Sequence, residues 1–242
     1  NHPDLKKTDM SCIKGAFSGS APLPVEVIHE FERLTGAVIV EGFGMTETTP
    51  VVHVNPFGGG VRKVGSVGVP ISDTEARIVD LETGLIDLPA NTPGELIVRG
   101  PQVMKGYLHM PDETANTIRN GWCFTGDIAV MDDDGYFFIV DRKKDMIISG
   151  GFNIYPRDID EVFYEHPKIQ EACSIGIPDP KRGENVKLFV VLKEGETATQ
   201  EELIEYAKTK LATYKLPSEI EFRAELPKST VGKVLRKELK AE

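Results

Sequence analysis

The sequence predicts a mixed α/β and α+β chain in two parts, on three observations. A helical apolar pattern near the start leads straight into a short buried-strand pattern. A run of short strands split by Gly, Pro, Asp and Asn follows, which predicts a small antiparallel sheet or barrel. After Asp145 strands and helices alternate, which predicts a compact α+β unit of about 97 residues.

The elements follow in order. Pro22 and Pro24 open a helix with Val25, Ile28, Phe31, Glu32 and Leu34 at helical spacing, ending at Gly36. Ala37 to Val40 reads as a buried strand running into a turn-rich segment, Glu41 to Pro50. Val67-Gly-Val, Glu75 to Val79 and Glu95 to Arg99 read as short strands, and Asp112 to Asn120 as a short helix. Ile128 to Met131 and Tyr136 to Val140 flank Asp132-Asp-Asp-Gly135, a hairpin signal. In the tail, Met146 to Ile148 is a strand and Pro156 opens a helix with Ile159, Val162 and Phe163 on one face. Ala172 to Ile177 and Lys187 to Leu192 are strands, Gln200 to Leu211 a helix and Ile220 to Phe222 a last strand. The charged run Asp141 to Asp145 suits a linker between domains 1–141 and 142–242.

Composition narrows the function. The 242 residues are 40% hydrophobic and 27% charged, with net charge −10, so bulk nucleic-acid binding is disfavoured. Cys12, Cys123 and Cys173 form no CxxC pair and are odd in number, which suits a reducing cytoplasm. No apolar run approaches the roughly 18 residues of a membrane span, and there is no signal peptide. The chain starts at Asn1, and NHPDLKKTDM reads like the interior of a longer protein.

Six stretches offer chemistry, each with a plainer alternative. Ser18-Gly-Ser-Ala-Pro-Leu-Pro precedes a helix; its prolines remove donors, so a flat base fits better than a phosphate, and a simple helix entry serves as well. Gly42-Phe-Gly-Met-Thr-Glu47 lets backbone approach a ligand and supplies a hard carboxylate suited to Mg²⁺, or is an ordinary turn. Trp122-Cys-Phe-Thr-Gly-Asp127 offers a carboxylate for paired ribose hydroxyls, or an Asp capping a turn. Arg142, Lys143 and Lys144 offer phosphate contacts, or a solvated charge run. Gly150-Gly151 admits a narrow ligand, or makes a bend. Pro227 to Lys233 puts a Lys before a short helix, where it can neutralise charge on an oxyanion or phosphate, or belongs to a frayed terminus. The chain has no GxxxxGK[ST], GxGxxG, HExxH or GxSxG.

The order of these stretches says more than any one of them. SGSAPLP, GFGMTE, GELIVRGPQVMKGY, WCFTGD, GYFFIVDRKKDMIISGGFNIYP and PKSTVGKVLRKEL together resemble the adenylate-forming superfamily of acyl-CoA synthetases, luciferases and peptide-synthetase adenylation domains. The resemblance covers nearly the whole chain. NGWCFTGDIAVMDDDGYFFIVDRKK resembles the fatty acyl-CoA synthetase signature, and VVHVNP and KVGSVGVPISDTEARIVD resemble bacterial or archaeal long-chain ligases.

The resemblance implies the C-terminal part of a large AMP-binding domain, with a small β-barrel-like subdomain, followed by a mobile α+β lid. It implies ATP, Mg²⁺ and coenzyme A as cofactors or co-substrates and a fatty acid as substrate. It also implies roles. Ser20 and Ala21 line the adenine pocket; Gly42, Phe43, Gly44 and Met45 run along the adenine and acyl end. Thr46 binds phosphate and Glu47 holds Mg²⁺. Asp127, with Arg142, takes the ribose hydroxyls. Lys144 is the pivot, Gly150 and Gly151 line the pantetheine tunnel, and Lys233 bridges carboxylate and α-phosphate. The family's phosphate loop and much of its acyl pocket have no counterpart in these residues. Expected partners are small molecules, with no nucleic acid and no transmembrane segment, and a cytoplasmic location compatible with peripheral membrane contact. An aryl- or short-acid ligase, an adenylation domain serving a carrier protein and a non-enzymatic module are the alternatives.

Overall fold

The computed structural model describes residue 4 and residues 7–21, 23–230 and 232–241; Pro22 lies outside them. Two compact units divide the chain, residues 1–139 and 140–242.

Unit 1 begins with a β–α–β turn of chain. Strand β1 (Gly15–Ser18) pairs in parallel with β2 (Val38–Gly44), and helix α1 (Val25–Thr35) makes the crossover. Pro24 caps the start of α1, and Gly36 ends it at φ 70 with its N–H on the Glu32 carbonyl. A left-handed residue is the usual way to stop a helix, and Gly takes it without a Cβ clash. Strand β3 (Val51–Val54) then pairs antiparallel with β2, and β4 (Val69–Pro70) with β3.

The strand expected over Ala37 to Val40 therefore continues through Gly42, Phe43 and Gly44. Pairing on both edges extends it where local turn propensity would have stopped it. Neither β1 nor β3 was expected. At Gly44 the register with β3 shifts, and a Cβ there would stand 1.6 Å from the Pro50 carbonyl oxygen. Only Gly allows the two backbones to come this close.

The second sheet of unit 1 is an antiparallel half-barrel. Strands β5 (Glu75–Val79), β6 (Gly94–Arg99), β8 (Trp122–Met131) and β7 (Ile118–Arg119) lie in that order, and β9 (Phe137–Arg142) pairs with β8. Helix α2 (Pro111–Thr117) precedes β7, so the expected helix to Asn120 ends earlier, in strand pairing. Alternation sorts the side chains. Ile78, Leu96, Val98, Cys123, Ala129 and Phe137 face a core shared with Val52 of β3, while Val79, Ile97 and Trp122 face the other way.

Unit 2 is built on a long hairpin, β12 (Ile169–Asp179) with β13 (Gly183–Leu192). Both strands outrun the sequence expectation because each is buried on two faces. One face, with Ala172, Val186, Leu188 and Val190, is covered by helices α3 (Pro156–Tyr164) and α4 (Gln200–Lys208) through Ile159, Phe163, Leu203 and Ala207. The other, with Cys173, Ile175, Phe189 and Val191, is covered by Leu226 and Leu239 from the end of the chain. Strands β10 (Ile147–Ser149), β11 (Phe152–Ile154) and β14 (Glu219–Phe222) complete the sheet. The helix expected over Gln200 to Leu211 stops at Lys208; its start is capped by Thr199, whose hydroxyl accepts the Glu202 N–H at 3.2 Å. A five-residue helix, α5 (Arg236–Lys240), ends the described chain.

Gly44→Ala should lower the stability of unit 1 by about 2–3 kcal/mol, the cost of overpacking a site that cannot give way. Urea unfolding of the two proteins measures it; equal midpoints would show that the close approach is not constraining.

Candidate active site

Two of the loops singled out in the sequence leave the same edge of one sheet. Because β1 and β2 are parallel, with Ser18 opposite Glu41, the chain exits both at the carboxyl edge, where open sheets of this kind bind ligands. The first loop carries Ser20 and Ala21, both exposed, with Ser20 at φ 70. The second carries Met45, Thr46 and Glu47. Thr48 is fully buried and closes this turn: its hydroxyl accepts the Met45 N–H at 3.1 Å and lies 2.9 Å from the Pro50 carbonyl. That leaves Thr46 exposed and Glu47 half-buried.

Glu47 is held from two sides. The Tyr107 hydroxyl donates to its Oε1 at 2.7 Å, and its carbonyl accepts the Met104 N–H at 2.8 Å. The Tyr107 N–H in turn donates to the Thr114 hydroxyl at 2.9 Å. The carboxylate raises the Tyr107 pKa by holding the phenolic proton. An oriented hard oxygen fits Mg²⁺, which keeps most of its ligands as water and phosphate oxygen. Among the described residues no group of three or more His, Cys, Asp or Glu could hold a metal.

Asp127 sits in the half-barrel sheet. The alternative of an Asp capping a turn gives way here, because Asp127 lies inside β8 and is 5% exposed. Gly126, at φ 71, puts a kink in the strand there. Around it the Gly126 N–H donates to Glu95 Oε1 at 3.2 Å, the Thr125 hydroxyl to the Leu96 carbonyl at 2.8 Å, and the Asp127 N–H to the Thr125 hydroxyl at 3.1 Å. The result is a buried Asp on a fixed backbone at a break in a ladder, as at many functional bulges.

Unit 2 holds the remaining residues. Arg142 and Lys144, both exposed, stand in a turn in which the Asp145 and Met146 N–H groups donate to the Arg142 carbonyl. Gly150 and Gly151, at φ 57 and 84, form the two-residue turn between β10 and β11. A turn with both central residues left-handed favours Gly. Lys233 stands in a tight hairpin: Lys228 bridges to Val234, Leu235 N–H donates to the Pro227 carbonyl at 2.8 Å, and Ser229 N–H donates to the Lys233 carbonyl at 2.8 Å. Leu226 and Val234 anchor both legs in the core. The frayed-terminus alternative therefore fails at Lys233.

Several groups around these sites were not singled out in the sequence. Tyr107 lay unassigned within the motif ending MKGY. Asp160 was hidden on the inward face of α3; a charge between Ile159 and Phe163 was the available signal. It accepts the Ser174 N–H at 2.6 Å and the Ser174 hydroxyl at 2.7 Å and pairs with Arg236. Burial raises its carboxyl to about 6 even with Arg236 opposing the shift. Burial likewise raises Asp141, which lies 4.0 Å from Arg236.

His53 was also passed over. It pairs across from Phe43 on β3, is wholly buried, and packs on Phe137 with ring centroids 4.6 Å apart. Among the described residues neither ring nitrogen has a hydrogen-bond partner, and burial pushes its pKa down to about 3.

Known proteins are similar to this chain in sequence and fold. The model for "AMP-binding enzyme" matches residues 1–108, and that for "AMP-binding enzyme C-terminal domain" matches residues 158–233. A long-chain-fatty-acid–CoA ligase of Bacillus subtilis is 54% identical over all 242 residues, which are 43% of its length. A feruloyl-CoA synthase of Amycolatopsis is 40% identical over 99% of the chain and 48% of its own length. The ATP-bound crystal structure of MatB from Rhodopseudomonas palustris superposes with TM-score 0.89 at 37% identity, over 93% of this chain and 44% of that one. The chain thus spans less than half the length of these relatives.

His53 contributes to the acid response of unit 1. Its native pKa of about 3 lies below the usual 6.5, so the unfolded chain takes up the proton first. Its contribution is present above pH 6.5 and is lost as pH falls toward 3, at up to about 1.4 kcal/mol per pH unit. His53→Leu should flatten the fall in stability between pH 6.5 and 4, read by urea unfolding at each pH. An unchanged slope would mean that the ring is not buried neutral.

Proposed function

The chain belongs to the AMP-binding enzyme family, and we propose that it serves an ATP-dependent fatty acid–CoA ligase. In the first half-reaction a fatty acid carboxylate oxygen attacks the α-phosphorus of ATP, and the bond to pyrophosphate breaks. In the second the thiol of coenzyme A attacks the acyl carbon, losing its proton, and AMP leaves. The observation that carries this reading is the 54% identity, along every residue of the chain, with a relative named for that activity.

The residues support a division of labour. Residues 1–141 belong to the large nucleotide-binding domain and residues 142–242 form the mobile lid. Ser20 and Ala21 border the adenine, with Gly42 to Met45 running on toward the acyl end. Thr46 binds phosphate. Glu47, aimed by the Tyr107 hydroxyl, holds Mg²⁺, which would screen the phosphate charge when bound. Asp127, beside its bulge, takes the ribose hydroxyls. Lys233 stabilises the negative charge shared by the attacking carboxylate and the α-phosphate, the kind of term that dominates such catalysis. Lys144 is the pivot, and the Gly150-Gly151 turn leaves a Cβ-free path for the pantetheine arm. Domain rotation lets one lid serve both halves in turn.

The feruloyl-CoA synthase relative favours a second reading, an aryl-acid ligase. A panel of long-chain and aryl acids offered to the full-length protein separates the two. A cytoplasmic site with peripheral membrane contact suits a fatty acid supplied from lipid; among the described residues no helix is long and apolar enough to cross a membrane.

In the full-length protein Lys233→Ala should lower fatty-acid-dependent ATP–pyrophosphate exchange by roughly 100- to 1,000-fold, as loss of a preorganised charge-stabilising group does. Thioester formation from preformed acyl-adenylate should persist. Intact exchange in that variant would remove Lys233 from the adenylation step. The 242 residues by themselves, without a phosphate loop, should show no such exchange; measurable exchange would mean that the upstream segment is dispensable.

A further inference from the structure

The Lys233 hairpin runs without a break into α5, and one face of that helix lies along segment 141–145 of the same unit. Arg236 and Lys240 are four residues apart and so share this face. Arg236 pairs with Asp160 on α3 and stands 4.0 Å from Asp141. Lys240 donates to the Lys144 carbonyl at 3.4 Å and stands 3.6 Å from the Asp145 carboxylate. Asp141 is itself anchored, accepting the Arg142 N–H at 2.7 Å and the Arg157 N–H at 2.8 Å. The two cations therefore bracket residue 144.

The two grips differ in kind. Arg236 meets two buried carboxylates, each also bonded to backbone N–H groups. Removing one partner of such a pair strands the others, so the grip is costly to break. Lys240 is in a wetter setting, with 30% of its side chain exposed, and its contacts are long. Its hydrogen bond goes to the carbonyl of residue 144, where a change of backbone dihedral would break it first.

We infer that α5 is a strap, in which Arg236 and Lys240 are positioning residues that tie the Lys233 hairpin to the 141–145 segment. Arg236 keeps the hairpin and the segment's first residue in one body. Lys240 favours the backbone arrangement at Lys144 seen here over a rotated one. The inference rests on the ligase reading, with Lys233 acting in adenylation and Lys144 as pivot.

The test uses the full-length protein and measures the two half-reactions separately, with thermal melting of each variant. Arg236→Ala should lower kcat for ATP–pyrophosphate exchange at least about 10-fold, as misplacing a catalytic group does. The ATP KM and thioester formation from preformed acyl-adenylate should each change less than about 3-fold. Arg236→Lys should restore part of the loss. Lys240→Ala, at a site too exposed to threaten folding, should shift the ratio of the two half-reaction rates at least about 3-fold with melting unchanged. Equal loss in both half-reactions, or wild-type ratios in Arg236→Lys and Lys240→Ala alike, overturns the strap. A Lys233→Ala control that keeps its exchange activity overturns the role of Lys233 instead, while the Lys240 ratio still decides whether the pivot is tethered.

Discussion

Burial of both faces of the β12–β13 hairpin is the constraint on which unit 2 depends. A two-stranded ribbon is marginal by itself, and this one presents apolar side chains in both directions. Helices α3 and α4 cover one face. The other needs the chain to return after β14, and it does so with Leu226, Val234 and Leu239. The Lys233 hairpin lies between the first two of these anchors. Its position is therefore a by-product of covering a sheet, which gives a long, flexible side chain a rigid base.

Unit 1 solves a different problem. A parallel pair with a helical crossover sends two loops to one edge, and the third strand must then fit closely against the second. Gly44 meets the Pro50 carbonyl, and His53 is pressed neutral between Phe43 and Phe137. Both features lie on β2 and β3, the strands that lead into and out of the Thr46–Glu47 turn. The packing that fixes the turn is thus tight enough to exclude a Cβ and to strip a histidine of its partners.

Much of this was legible in the sequence, and the failures share a cause. Helices α1 and α3 were readable because Val25, Ile28 and Phe31, and then Ile159 and Phe163, repeat at helical spacing with Pro or Gly at an end. Strands β5 and β6 were readable because their neighbours are turns. Strands β1, β3 and β11 were not, and β2 and β8 were cut short. For β1, β2 and β8 the deciding partner is distant in sequence, whereas β11 is a three-residue strand hidden behind the Gly150-Gly151 turn; Gly42, Gly44 and Gly126 look like turn residues until a neighbouring ladder claims them. The order of six motifs marked the family, and with it the candidates Glu47, Asp127 and Lys233. It did not single out Tyr107, Asp160 or Arg236, whose partners Glu47, Ser174 and Asp141 are met only on folding.

The contact between Lys240 and the Lys144 carbonyl spans 96 residues, and it joins nearly the first residues of unit 2 to its last. Local hairpins close early and cheaply, whereas such a long loop closes late. On a ribosome adding about 5–20 residues per second, segment 141–145 emerges roughly 5–20 s before α5 exists. For that interval segment 141–145 exists without the contacts that α5 makes to it. The order of synthesis thus makes segment 141–145, one of the first parts of unit 2 to be made, one of the last to be fixed in place.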